Sequence, residues 1–113
     1  MESKLIDKDK LFEHYDGDTE ILTELVGIFE ETYPETISEL KTAISERNFK
    51  NIELHAHTLK GMIGNFFDDT LKEKTFLLEK IGREGSGNIS VDDVIIIESD
   101  LVTLIDHLKS ILK

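Results

Sequence analysis

His57, with Lys60 three residues on and Gly61 and Gly64 at four and seven, is the group in this chain whose types and spacing point to chemistry. Wound as a helix at about 100° per residue, Ile52, His55, Ala56, Leu59, Met62, Ile63 and Phe66 gather on one side. Glu53, His57, Lys60, Gly61 and Gly64 fall on the other. The apolar stripe faces a core, so the second set faces water or a partner. Each glycine inside a helix costs about 1 kcal/mol relative to Ala, a penalty without purpose on a solvated face unless something must come close. A neutral imidazole, with a reference pKa near ~6.5, offers a ring-nitrogen lone pair at neutral pH. A cation one turn away suits the charge of roughly −2 on a phosphoryl group. Nucleophilic capture of a phosphoryl group is the chemistry this set fits.

The elements that must position these residues are helical throughout. Met1 to Ile6 reads as a lead-in, and Asp7 caps a short helix, Lys8 to Tyr15, that docks Leu11, Phe12 and Tyr15. Asp16-Gly17-Asp18 breaks the pattern, with Asp18 as the next cap. A long stripe follows at Leu22, Leu25, Val26, Phe29, Tyr33, Ile37, Leu40 and Ile44. Pro34 lies inside it and removes a backbone donor, which predicts a kink or a short break. The stripe keeps phase across the proline and so favours one bent helix, ending at Arg47-Asn48.

The helix bearing His57 is expected from Phe49 or Asn51 to Phe67, capped by Asn48. Asp68 or Asp69 caps the next, Thr70 to Ile81, with Leu71, Leu78 and Ile81 inward and Leu77 at the edge. Gly82 to Asn88 reads as a glycine-rich connector whose spacing does not match a phosphate-binding loop. Ser90-Val91-Asp92-Asp93 resembles a capping box with Asp in place of the usual Glu or Gln. Val94, Ile97, Leu101, Leu104, Leu108 and Ile111 then repeat at bundle spacing, which outweighs the β-prone run Val94–Ile97. The fold predicted is all-α: an antiparallel four-helix bundle with a short additional N-terminal helix, one domain over residues 1–113.

Composition narrows the partners. Thirteen Lys and Arg against 24 Asp and Glu leave a formal charge of −11, which repels nucleic acid and anionic lipid. No cysteine is present, so disulfides and thiolate metal sites are excluded. No signal segment opens the chain, and no run approaches the roughly 18–20 apolar residues of a membrane span. The expectation is a soluble, cytoplasmic monomer. His55-Ala56-His57 is not a metal pair on a helix, because i and i+2 point about 200° apart. His55 reads as a core-edge histidine, and His14 and His107 as lone surface ones.

Ala56-His57-Thr58-Leu59-Lys60-Gly61 resembles the signature of the histidine-containing phosphotransfer (HPt) domain, His-x-Leu-Lys-Gly. The likeness extends to Gly64-Asn65-Phe66, to Leu77–Glu79 in the following helix, and to the long helix interrupted at Tyr33-Pro34-Glu35. Phe67 departs from it, since many members carry glycine there. The resemblance implies a phosphocarrier of a multistep two-component phosphorelay. His57, through Nε2, would accept a phosphoryl group from a receiver-domain aspartyl phosphate and pass it to another receiver. It implies no ATP site, no cofactor of the chain's own and a Mg²⁺ on the partner receiver, with response-regulator receivers or a hybrid histidine kinase as partners. Two other readings remain: the phosphoacceptor domain of a chemotaxis-type histidine kinase, or an adaptor that binds a receiver without transfer. Met1 and the helical end at Lys113 favour a free-standing module.

Within that reading Lys60 offsets the phosphoryl charge, and Gly61 and Gly64 clear the approach of the partner. Close helix packing is the alternative use of the two glycines. Glu53, one turn before His57, is either an ordinary solvated carboxylate, the reading its position favours, or the acceptor of the second ring N–H. Leu54 and Ile28 are assigned to an apolar docking rim, or else to cover by the short first helix.

Overall fold

The computed structural model describes residues 8–112, whose regular structure is five helices: α1 (Lys8–His14), α2 (Thr19–Ser45), α3 (Phe49–Gly64), α4 (Asp69–Glu84) and α5 (Val91–Ile111). The lead-in to Ile6 and the Asp7 cap lie outside the described residues. No strand occurs among the described residues, and the β-prone run Val94–Ile97 is helical. Its apolar stripe decides the matter: Val94, Ile97, Leu101, Leu104 and Leu108 are all buried.

Helix α2 packs against α3 and α5, and α4 packs against the same two. Leu22, Phe29, Leu40, Ile52, Leu59, Ile63, Phe66, Leu71 and Leu101 fill the space between them. Removing that much apolar surface from water is the main stabilising term, about 25 cal/mol per Å². Leu11 of α1 is fully buried, with Phe12 and Tyr15 packed beside the core. The Tyr15 hydroxyl donates to the Asn65 carbonyl at 3.2 Å, which ties α1 to the end of α3.

The breaks fall where short polar residues and glycine permit them. Asp16 and Gly17 have φ of 53° and 71°, and the Asp18 side chain then accepts from the Glu20 and Ile21 N–H groups at 3.1 Å. Asn48 caps α3 by accepting from Asn51 N–H at 3.2 Å. Asp68, not Asp69, caps α4, accepting from Leu71 N–H at 3.1 Å. The Ser90 N–H donates to the Asp93 side chain at 2.9 Å, so Asp serves at the position where Glu or Gln is usual. Pro34 lies inside an uninterrupted α2, so one helix rather than two is found there.

Two helix ends differ from the sequence reading by three residues. Helix α3 ends at Gly64, three residues before Phe67, and Phe66 reaches the core from the turn beyond it. Phe67 has φ +61°, in the left-handed region that favours glycine. Its ring compensates by packing, edge-on to His14 at 5.2 Å and beneath Lys10 at 5.5 Å. Helix α4 runs on to Glu84, past the expected end at Ile81, and closes on Gly85 with φ 71°. Gly82 is therefore a helical residue and not part of the connector. A Cβ there would lie 2.4 Å from Glu53 N and 2.8 Å from the Phe49 carbonyl oxygen, so α3 and α4 touch backbone to side at that point.

Candidate functional site

The close approach of α3 and α4 at Gly82 sets the site one turn away. Leu71, Thr75, Leu78 and Gly82 form the buried stripe of α4, and Glu79 lies on the flank of that stripe facing α3. Glu79 is only 3% exposed. A buried carboxylate needs partners, because burial without them is costly, and here α3 supplies two. His57 Nδ1 is 3.0 Å from Glu79 Oε2, and Lys60 Nζ is 2.7 Å from Oε1. From α4 itself, Arg83 Nη2 donates to Oε2 at 2.9 Å.

Burial pushes the Glu79 carboxyl up, but hydrogen bonds and charge from Lys60 and His57 outweigh it and hold the group below the ordinary carboxylate value. The ionised carboxylate accepts only, so Nδ1 of a neutral His57 must carry the proton. The lone pair then lies on Nε2, across the ring. The imidazole is two-thirds exposed, at 67%, while its partner carboxylate is buried. One ring nitrogen is anchored and the other is presented outward.

The carboxylate beside the ring is Glu79 and not Glu53, which corrects the imidazole-orienting role considered for Glu53. Glu53 Oε2 accepts from Arg83 Nε at 3.1 Å instead. Glu79 occupies the place beside Nδ1 because it comes from the neighbouring helix at the height of the ring. Glu53, by contrast, is drawn toward the end of α4. Two signals pointed to Glu79: its place in the segment Leu77–Glu79, and its position beside an apolar stripe, where a carboxylate must find a partner. Arg83 carried no such signal, since it was read as loop.

Lys60 lies beside His57 as expected, but its ammonium is turned inward, 22% exposed, between Glu79 and the Phe76 ring at 5.1 Å. Gly61 has no atom within 4 Å of where a Cβ would stand. For Gly64 the nearest is the flexible end of Lys72 at 4.0 Å. Neither glycine serves helix packing; both leave bare backbone facing outward, and Gly82 is the packing glycine.

Leu54 and Ile28 are exposed at 56% and 53%, so α1 does not cover them. Leu54 shares with His57, Lys50 and Arg83 a hollow of about 480 Å³. Ile28 does not join it. The Phe29 ring stacks on Phe66 at 5.3 Å, which places Ile28 near the far end of α3. That end is at least two turns, roughly 10 Å, beyond His57. Of the other histidines, His55 meets Glu39 at 3.3 Å on the core edge. His14 is not a lone surface ring, since it packs edge-on against Tyr15 and Phe67. No group of three or more His, Cys, Asp or Glu among the described residues is placed to hold a metal ion. No helix among them is long and apolar enough to cross a membrane.

A helical bundle that holds one imidazole outward, with a cation one turn on and bare backbone beyond, has the arrangement expected from the resemblance to the histidine-containing phosphotransfer domain. In agreement, a family model of the Hpt domain matches residues 24–111, and the chain belongs to that family. Hpt domains carry phosphoryl groups in two-component signalling, exchanging with receiver domains and histidine kinases, and are carriers rather than kinases. No curated protein and no solved structure matches the chain significantly.

Proposed function

We propose that this protein is a phosphocarrier that takes a phosphoryl group on His57 from the aspartyl phosphate of one receiver domain and gives it to the aspartate of another. The observation that carries the reading is the asymmetric ring, with Nδ1 held by a buried carboxylate and the opposite nitrogen in the open. In the transfer, Nε2 attacks phosphorus, the N–P bond forms and the acyl O–P bond breaks. The partner's aspartate leaves with the electron pair as a carboxylate. The ring keeps its Nδ1 proton and gains positive charge, which Glu79 is placed to stabilise, so no base need remove a proton.

Lys60 offsets the phosphoryl charge, and Gly61 and Gly64 give the partner its clearance. Leu54 supplies apolar contact beside the ring, while Ile28 belongs to a more distant part of the docking face. A Mg²⁺ of the reaction belongs to the receiver. The bundle that carries this is an antiparallel four-helix arrangement of α2 to α5 with α1 added. Ion pairs Glu30–Lys109 and Lys41–Glu98 support it, since they run in opposite chain directions along α2 and α5. The chain works as one domain, in the cytoplasm, as a monomer.

Incubation with a phosphorylated receiver is expected to give an adduct labile in acid and stable in alkali, absent in His57→Gln. An undiminished adduct in that variant would move the phosphoacceptor elsewhere. Tight receiver binding with no adduct in the wild type would make the protein an adaptor.

A further inference from the structure

Glu79 sits between two demands. In the resting site its two oxygens share three donors: His57 Nδ1 and Arg83 Nη2 on Oε2, and the Lys60 ammonium near Oε1. A phosphoryl group on Nε2 brings a charge of roughly −2 within reach of Lys60, whose hold on Glu79 must then be shared or broken. Losing that hold would leave a carboxylate at 3% exposure with the imidazole and Arg83 as its partners, and without Arg83 the imidazole alone would disfavour the ionised form.

Arg83 answers this need by its geometry. Its guanidinium is fixed at two points, Nη2 on Glu79 Oε2 at 2.9 Å and Nε on Glu53 Oε2 at 3.1 Å, so its hold on Glu79 does not depend on Lys60. We propose that Arg83 is a positioning residue of the phosphorylated site: it keeps the Glu79 carboxylate seated against His57 Nδ1 after Lys60 has turned to the phosphoryl group, and Glu53 keeps Arg83 in place. Glu53 thus acts on the imidazole at two removes. This rests on the phosphocarrier reading, and it makes one demand that a mere clamp between α3 and α4 does not. A clamp serves the free and the phosphorylated protein alike, whereas Arg83 favours the phosphorylated one.

The test is the phosphoryl equilibrium between a receiver domain and the full chain, measured in both directions for wild type, Arg83→Gln, Arg83→Lys and Glu53→Gln. The equilibrium is expected to move toward the receiver by roughly tenfold in Arg83→Gln, the scale of one charge-assisted contact. It should move less in Glu53→Gln, and be partly restored in Arg83→Lys. Lys109→Gln, which removes a cation paired with Glu30 on α2, controls for loss of charge and should leave the equilibrium unchanged. Circular dichroism melts separate any loss of fold from the shift. If Arg83→Gln changes forward and reverse rates equally, or leaves both as they were, Arg83 is no more than a surface clamp and the proposal fails. If the wild type takes no phosphoryl group at all, it is the phosphocarrier reading that fails.

Discussion

Glu79 is nearly buried, yet its carboxyl is held below the ordinary value against the effect of burial, by Lys60 and His57. That balance makes the residue both a stabilising element and the device that orients the ring. A carboxyl with a depressed value in the folded state stabilises the protein above its unfolded value, and the contribution is lost as pH falls through the folded one. Glu79→Gln keeps the shape and removes the charge. It should therefore cost about 1.5–3 kcal/mol at pH 7, the worth of a hydrogen bond to a charged group. The gap to wild type should then close as pH is lowered below the unfolded value near 4.5. Urea unfolding at a series of pH values reads this directly. Parallel curves would mean that the carboxylate has no electrostatic part in the fold. Lys60→Ala is expected to slow phosphoryl transfer more than it destabilises, because Arg83 remains on Glu79. Transfer at the wild-type rate would remove Lys60 from the chemistry.

The glycines of α3 and α4 do opposite things, and single methyl groups distinguish them. Gly61→Ala adds a Cβ in open space inside a helix, so it should stabilise by about 1 kcal/mol while slowing transfer, since the methyl stands where the partner must approach. Gly82→Ala drives a methyl into the Glu53 backbone at 2.4 Å. It should cost about 1–3 kcal/mol or more and disturb the seating of Glu79 against His57. Thermal melts and transfer rates on both variants would show the contrast, and a Gly61→Ala protein with unimpaired transfer would contradict a clearance role.

These elements also mark how far the sequence could be read. The stripes of α2, α3 and α5, and the caps at Asp18 and Asn48, were legible because periodicity and short polar residues act locally. His57, Lys60 and the open glycines were legible because spacing on one helix fixes a shared face. The contacts of Glu79 with His57 and of Arg83 with Glu53 were not fixed in this way, because they depend on how closely two helices approach. That distance is set by Gly82, which in sequence looks like the start of a loop. The end of α3 was misplaced for a related reason: Phe67 adopts a glycine-like backbone that only its packing against His14 and Lys10 sustains.

At the scale of the molecule, a formal charge of −11 on 113 residues should make the compact state repel itself. Lys41–Glu98, Lys74–Asp100 and Lys109–Glu30 bridge different helices, but all reach solvent, Lys41–Glu98 the least, and each contributes about 0–1 kcal/mol. Salt acts on both terms with opposite sign. It weakens the exposed pairs, which lowers stability, and it screens the mutual repulsion of the excess carboxylates, which raises it. The excess is large and spread over the whole surface, whereas the pairs are few and already close to water, so the repulsive term should prevail. The melting temperature is accordingly expected to rise between low salt and about 0.5 M NaCl, where the screening length is already well below 10 Å. The Glu79 carboxylate should respond less, since it is shielded by burial. A melting temperature that falls over the same range would mean that the ion pairs between helices, and not the apolar core, decide whether the bundle holds together.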